Sequence, residues 1–172
     1  MRKSAGPGLL VFLLAGIIWA QYTQPLFYIE HSINSNKLYY EAAFTKDSAM
    51  DPKRPVHAYW IMWAKDSSGA TRQKMSWIEK QRAFGFKIKR DPTKTQYCLS
   101  LVAYPTRIIE ILTQDAKAVA RTIINEKRAY LEKIHIDSDD DHLFPKVNYL
   151  ELVGRDVETG QELHEQVAPS KK

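Results

Sequence analysis

Asp137, Asp139 and Asp141 alternate in "DSDDDH", the spacing with which a calcium loop presents its first three oxygen ligands. The rest of that pattern is missing. The sixth position is His142 where the loop needs Gly for its sharp turn, and the twelfth is Asn148 where it needs a bidentate Glu. The segment therefore reads as a solvated acidic turn that also keeps strand edges from pairing. The three aspartates are weak metal candidates, and no metal or other cofactor is expected.

The five histidines, His31, His57, His135, His142 and His164, contain no pair at HExxH spacing, so no helix face offers two ligands and a base. There is no GxSxG elbow, and the seven glycines form no phosphate-cradling loop. Cys98 is the one cysteine, which excludes an intramolecular disulfide and a cysteine zinc cluster. Within "QYCLSLVA" it reads as a small buried apolar residue.

What remains is an aromatic run, "PVHAYWIMWAKD", from Pro55 to Asp66. Read as a strand over residues 56–64, it puts His57, Tyr59, Ile61 and Trp63 on one face and Val56, Ala58, Trp60, Met62 and Ala64 on the other. Both faces are apolar, so the strand is expected to be covered on both sides or to sit where the small helix lies over a barrel. Trp60 has only apolar neighbours on its face and is the expected core member. The opposite face carries polar tips, as ligand walls do. His57, Tyr59 and Trp63, with Tyr39 and Trp77, are therefore the expected ligand-binding residues, against the competing reading that large aromatics fill a barrel core. The acid–base pairings to weigh are His57 with Glu41 or with Glu79. With no motif around them, no catalytic residue is expected.

These residues need a scaffold, and short apolar runs separated by turn chemistry suggest an antiparallel all-β domain. "PLFYIEHS" and "KLYYEAAF" flank "NSN", a hairpin turn if Asn supplies left-handed backbone. Further candidate strands are "VHAYWIMWA", "QYCLSLVA", "RIIEILT", "AVARTII", "AYLEKIHID", "KVNYLELV" and "QELHEQV", the last two joined through Thr159-Gly160. About eight to nine strands make a barrel or barrel-like sandwich the expected fold. One segment differs: in "SWIEKQRAFG", Ser76 and Glu79 form a capping box, Gly85 can end a helix, and Trp77, Ile78, Gln81 and Phe84 share one side.

The N-terminus reads as a secretory signal peptide over residues 1–20, with Arg2 and Lys3 ahead of an uncharged run from Leu9 to Ala20. That run is shorter than the roughly 20 residues a bilayer span requires, so cleavage after Ala20 and no stable span are expected. The residue after the cut is Gln21 and not a cysteine, so no lipoprotein anchor is expected. Loss of Arg2 and Lys3 lowers the formal charge from +5 to +3, and the densest basic group, "KIKR", is too short for a nucleic-acid patch. Residues 21–167 read as a single β-rich domain, and residues 168–172 as a loose tail.

Three stretches taken together, "FYIEHSINSNKLYYEAAF", "PVHAYWIMWAKD" and "MSWIEKQRAFGFKIK", resemble a family of small exported bacterial proteins catalogued as a domain of unknown function. The resemblance spans roughly Leu26 to Val153. It implies one all-β envelope domain, periplasmic or secreted, and supplies no catalytic residues. The expected function is a non-catalytic module that binds a small apolar or amphipathic ligand. The alternatives are an interaction module that docks an envelope protein, and a hydrolase or transferase.

Overall fold

The computed structural model describes residues 22–64, 69–82, 84–92, 96–139 and 146–168. The expected leader and its cut, Asp141, His142 and residues 169–172 of the tail lie outside the described residues.

The strands are β1 (Tyr22–His31), β2 (Asn34–Phe44), β3 (Val56–Trp63), β4 (Ala70–Lys74), β5 (Phe86–Asp91) and β6 (Gln96–Leu101). They continue with β7 (Ile108–Gln114), β8 (Lys117–Ile124), β9 (Lys127–Asp139), β10 (Lys146–Asp156) and β11 (Glu162–Val167), and one helix, α1 (Trp77–Arg82), lies between β4 and β5. All eleven strands belong to one sheet, of which nine follow the order β4, β3, β2, β1, β9, β8, β7, β6, β5. That path curls into a half-barrel, so the fold is all-β and barrel-like with one short helix. β10 and β11 leave the path at β9.

β9 holds the sheet together. Its first residues pair antiparallel with β8, and Lys133 to Ile136 then pair parallel with β1 on the same edge. This parallel pair makes the sheet mixed where the sequence suggested an antiparallel one throughout. A bulge accompanies the change of partner: opposite β10, Val153 faces Lys133 and Gly154 faces Leu131, which leaves Glu132 unmatched. An extra residue reverses the alternation of side chains. The buried set accordingly passes from Ala129 and Leu131 to Ile134 and Ile136, and the core stays continuous. Gly154 sits against the bulge with no room for a side chain, because a Cβ there would lie 2.3 Å from the Tyr130 carbonyl oxygen.

Alternation supplies the rest of the core. Phe27 and Ile29 of β1, Leu38 and Tyr40 of β2, Val56 and Trp60 of β3, Leu99 of β6, and Ile109 and Ile111 of β7 join one hydrophobic cluster. Phe27 and Tyr40 stack at 4.5 Å, and burial raises the Tyr40 hydroxyl well above its usual range while it donates to the Phe84 carbonyl at 2.7 Å.

Several local expectations hold and others need correction. The β10–β11 hairpin turns at Gly160 with φ of 71°, and Asp156 accepts from the backbone N–H groups of Glu158 and Thr159. The β1–β2 hairpin exists, but its turn is Ser32-Ile33, and no Asn of "NSN" takes left-handed backbone. "DSDDDH" is in part strand, since β9 runs through Asp139. Trp77 and Ile78 do not form a buried helix side: they are 70% and 58% exposed. With only six residues, α1 is too short for its apolar residues to line up over the sheet.

Candidate functional site

Each edge of β3 is paired along only part of its length. On the β2 side, pairing runs from Val56 to Ile61; on the β4 side it begins at Tyr59. The edge of Val56, His57 and Ala58 is therefore open. Beyond Lys74 the chain leaves the sheet because Met75 is buried and Ser76 starts α1. The capping box anticipated from sequence is formed: Glu79 N–H donates to Ser76 Oγ at 3.3 Å, and Ser76 N–H donates to Glu79 Oε2 at 2.6 Å. On leaving α1 the chain passes so close to its own helix that a Cβ on Gly85 would lie 1.5 Å from the Lys80 carbonyl oxygen. The Gly85 carbonyl accepts from Val102 N–H at 2.8 Å, which ties this return to the end of β6.

Between the open edge of β3 and this return lies a groove of about 560 Å³, lined by Arg54, Val56, His57, Ala58, Lys74, Met75, Lys80, Gly85 and Phe86. Its size falls within the roughly 300–1,000 Å³ of small-ligand sites. Its lining is mixed: Val56, Ala58, Met75 and Phe86 are apolar, and among the described residues every ionisable one that lines it is basic. His57 Nε2 is buried without a hydrogen-bond partner.

Of the five residues expected to bind ligand, His57 alone lines this groove. Tyr59 and Tyr39 are brought together, but by stacking on each other at 5.9 Å across β2 and β3. Tyr28 extends the stack at 5.5 Å from Tyr39, and the Arg72 guanidinium lies 3.4 Å from the Tyr59 ring centre. The Tyr59 hydroxyl donates to Glu41 at 2.5 Å; burial first, then Glu41, pushes its pKa up to about 12, so it remains a donor at neutral pH. Internal partners thus occupy the ring faces and the tip of Tyr59. Tyr39 also lines a shallower hollow of about 360 Å³ with Tyr28 and Tyr130, where β1 and β8 approach each other. Trp63, 50% exposed at the far end of β3, and Trp77 on α1 line neither space.

No acid–base pair forms around His57. Glu41 binds Tyr59 and Arg72, and Glu79 caps α1. Asp137 and Asp139 both accept from Asn148 Nδ2 at 3.0 Å, and no group of three metal-binding side chains occurs among the described residues. Cys98 is half-buried in β6 as a free thiol. Arg54, Lys74, Met75, Lys80 and Phe86 were not anticipated. Their positions share no period or motif; the one available signal was Gly85, whose tight return sets Lys80 beside Phe86.

A curled, half-barrel sheet with an open, basic-lined groove at one end defines the molecule structurally. The chain belongs to the family described as Domain of unknown function (DUF4833), whose model matches residues 27–166. The match extends beyond Val153 to include most of β11. No curated protein and no solved structure matches the chain.

Proposed function

We propose that the protein is a non-catalytic binding module of the bacterial envelope, exported through its N-terminal leader, and that the groove beside β3 takes a small amphipathic ligand. The observation that carries this reading is the groove itself: apolar Val56, Ala58, Met75 and Phe86 lie next to basic Arg54, Lys74 and Lys80. An amphiphile meets both surfaces at once. A half-barrel also suits an edge groove better than the enclosed barrel interior in which a wholly apolar ligand would be buried. The docking alternative is favoured by one observation, the exposure of Trp77 and Ile78 side by side on α1.

Mass spectrometry of organic extracts from natively purified protein tests the reading. A stoichiometric amphiphile is expected, and its loss in Met75→Ser and Phe86→Ser variants that remain folded would place it in the groove. A clean extract, together with a protein partner lost in Trp77→Ala, would favour docking. Export is tested by N-terminal sequencing, with Gln21 expected first; intact Met1 in the membrane fraction would refute it.

A further inference from the structure

We propose that the groove selects the charge of its ligand, taking an amphiphile whose head is an oxyanion, either a phosphate or a carboxylate; this rests on the binding reading above and adds a charge requirement to it. Among the described residues, nine line the groove; four of them are basic, Arg54, His57, Lys74 and Lys80, and none of the nine is acidic. They come from separate parts of the chain: Arg54 and His57 from the entry and start of β3, Lys74 from the end of β4, and Lys80 from α1. Local sequence composition does not explain that convergence.

A contrast with four cations paired across the sheet is the second observation. Arg107 meets Glu165 at 2.6 Å, Arg121 meets Glu110 at 2.8 Å, Lys133 meets Glu30 at 2.8 Å and Arg155 meets Glu132 at 2.7 Å. Among the described residues, the side chains of Arg54, Lys74 and Lys80 have no ion-pair or hydrogen-bond partner. Gathering like charges costs electrostatic energy, which a bound anion offsets. Both arginine and lysine donate charge-assisted hydrogen bonds to phosphate and carboxylate oxygens. Val56, Ala58, Met75 and Phe86 remain for the apolar tail.

Isothermal titration of the purified protein with four probes tests this: octyl phosphate, octanoate, octyl glucoside and inorganic phosphate. The two anionic amphiphiles should bind about tenfold more tightly than octyl glucoside at low ionic strength, and added salt should erode that preference. Arg54→Gln/Lys74→Gln/Lys80→Gln should abolish the preference by weakening the two anionic probes far more than octyl glucoside; the milder Lys74→Gln/Lys80→Gln should reduce it in part. Circular dichroism checks that both variants are folded. Equal affinity for charged and neutral probes, or a preference that survives the triple variant, overturns the charge requirement but spares the binding reading. Inorganic phosphate bound as tightly as octyl phosphate overturns the amphiphile and assigns the groove to a free anion. Failure of all four probes to bind would remove the binding reading and this inference with it.

Discussion

The seam at β9 and the groove at β3 treat charge in opposite ways. At the seam Glu30 is surrounded by Lys133 at 2.8 Å, Lys37 at 3.5 Å and His135 at 3.5 Å. Burial alone would raise the Glu30 pKa, but the Lys133 hydrogen bond and the charges of Lys133, Lys37 and His135 outweigh it and hold the carboxylate below its usual range. Ser32 completes the join, its backbone N–H donating to the Ile136 carbonyl and its hydroxyl accepting from Ser138 N–H. At the groove the cations stand unmatched. Among the described residues, three buried side-chain atoms lack a hydrogen-bond partner: His57 Nε2 and Trp60 Nε1 belong to β3, and Ser138 Oγ to the seam. A sheet this large needs its branch point paired to hold one register, whereas exposed, unmatched cations such as Lys74 and Lys80 cost little stability and stay available to a ligand.

The largest expected effect tests whether β3 is anchored despite its open edge. Trp60 is 8% exposed and packs edge-on against Phe84 at 5.1 Å, so Trp60→Ala should cost about 3 to 5 kcal/mol. Trp63, on the opposite face, should cost less than about 1 kcal/mol when truncated. Urea denaturation measures both, and equal losses would mean that β3 has no solvent-facing side.

A smaller loss is expected at the seam. Gly154→Ala forces a methyl group against the Tyr130 carbonyl, which the β9–β10 ladder holds in place, and should cost about 3 kcal/mol. Gly69→Ala is the control, since nothing lies within 4 Å of a Cβ there. If the two glycines tolerate alanine equally, the bulge does not constrain position 154.

Ser76→Ala removes the acceptor for Glu79 N–H and should lower stability by about 1 kcal/mol, read from the denaturation midpoint. Because α1 walls the groove, ligand affinity should fall with it. Smallest of all is the effect of neutralising the groove: Lys74→Gln and Lys80→Gln should each change stability by less than about 0.5 kcal/mol, as both side chains are exposed and unpaired. A larger loss in either would make that cation structural and erase the contrast with the seam.

Much of the strand content was legible because alternation is a local signal. Nine runs read from sequence correspond to β1, β2, β3 and β6 to β11. The two that escaped, β4 and β5, are the two ends of the curled path. β4, "ATRQK", is exposed at every position and so carries no apolar face to read, while β5, "FKIKRD", has half-buried Phe86 and Ile88 but three exposed basic residues. Edge strands are charged because charge discourages edge-to-edge pairing, and that same charge hides them.

By itself the sequence determined the two-faced character of β3, the Ser76–Glu79 cap and the turn at Gly160, each a matter of a few neighbouring residues and their backbone preferences. Tertiary structure decided the parallel pairing of β1 with β9, which joins Glu30 to Lys133 across 103 positions of chain, and the register change at Glu132. It also decided which polar groups would be left over. Stacking and hydrogen bonds joined Tyr39 and Tyr59 to each other and Tyr59 to Glu41, outside the groove at β3, and chain returns at Met75 and Gly85 brought Lys74 and Lys80 to Arg54. Pairing partners and leftover charges are properties of which distant segments meet, and no local period records that meeting.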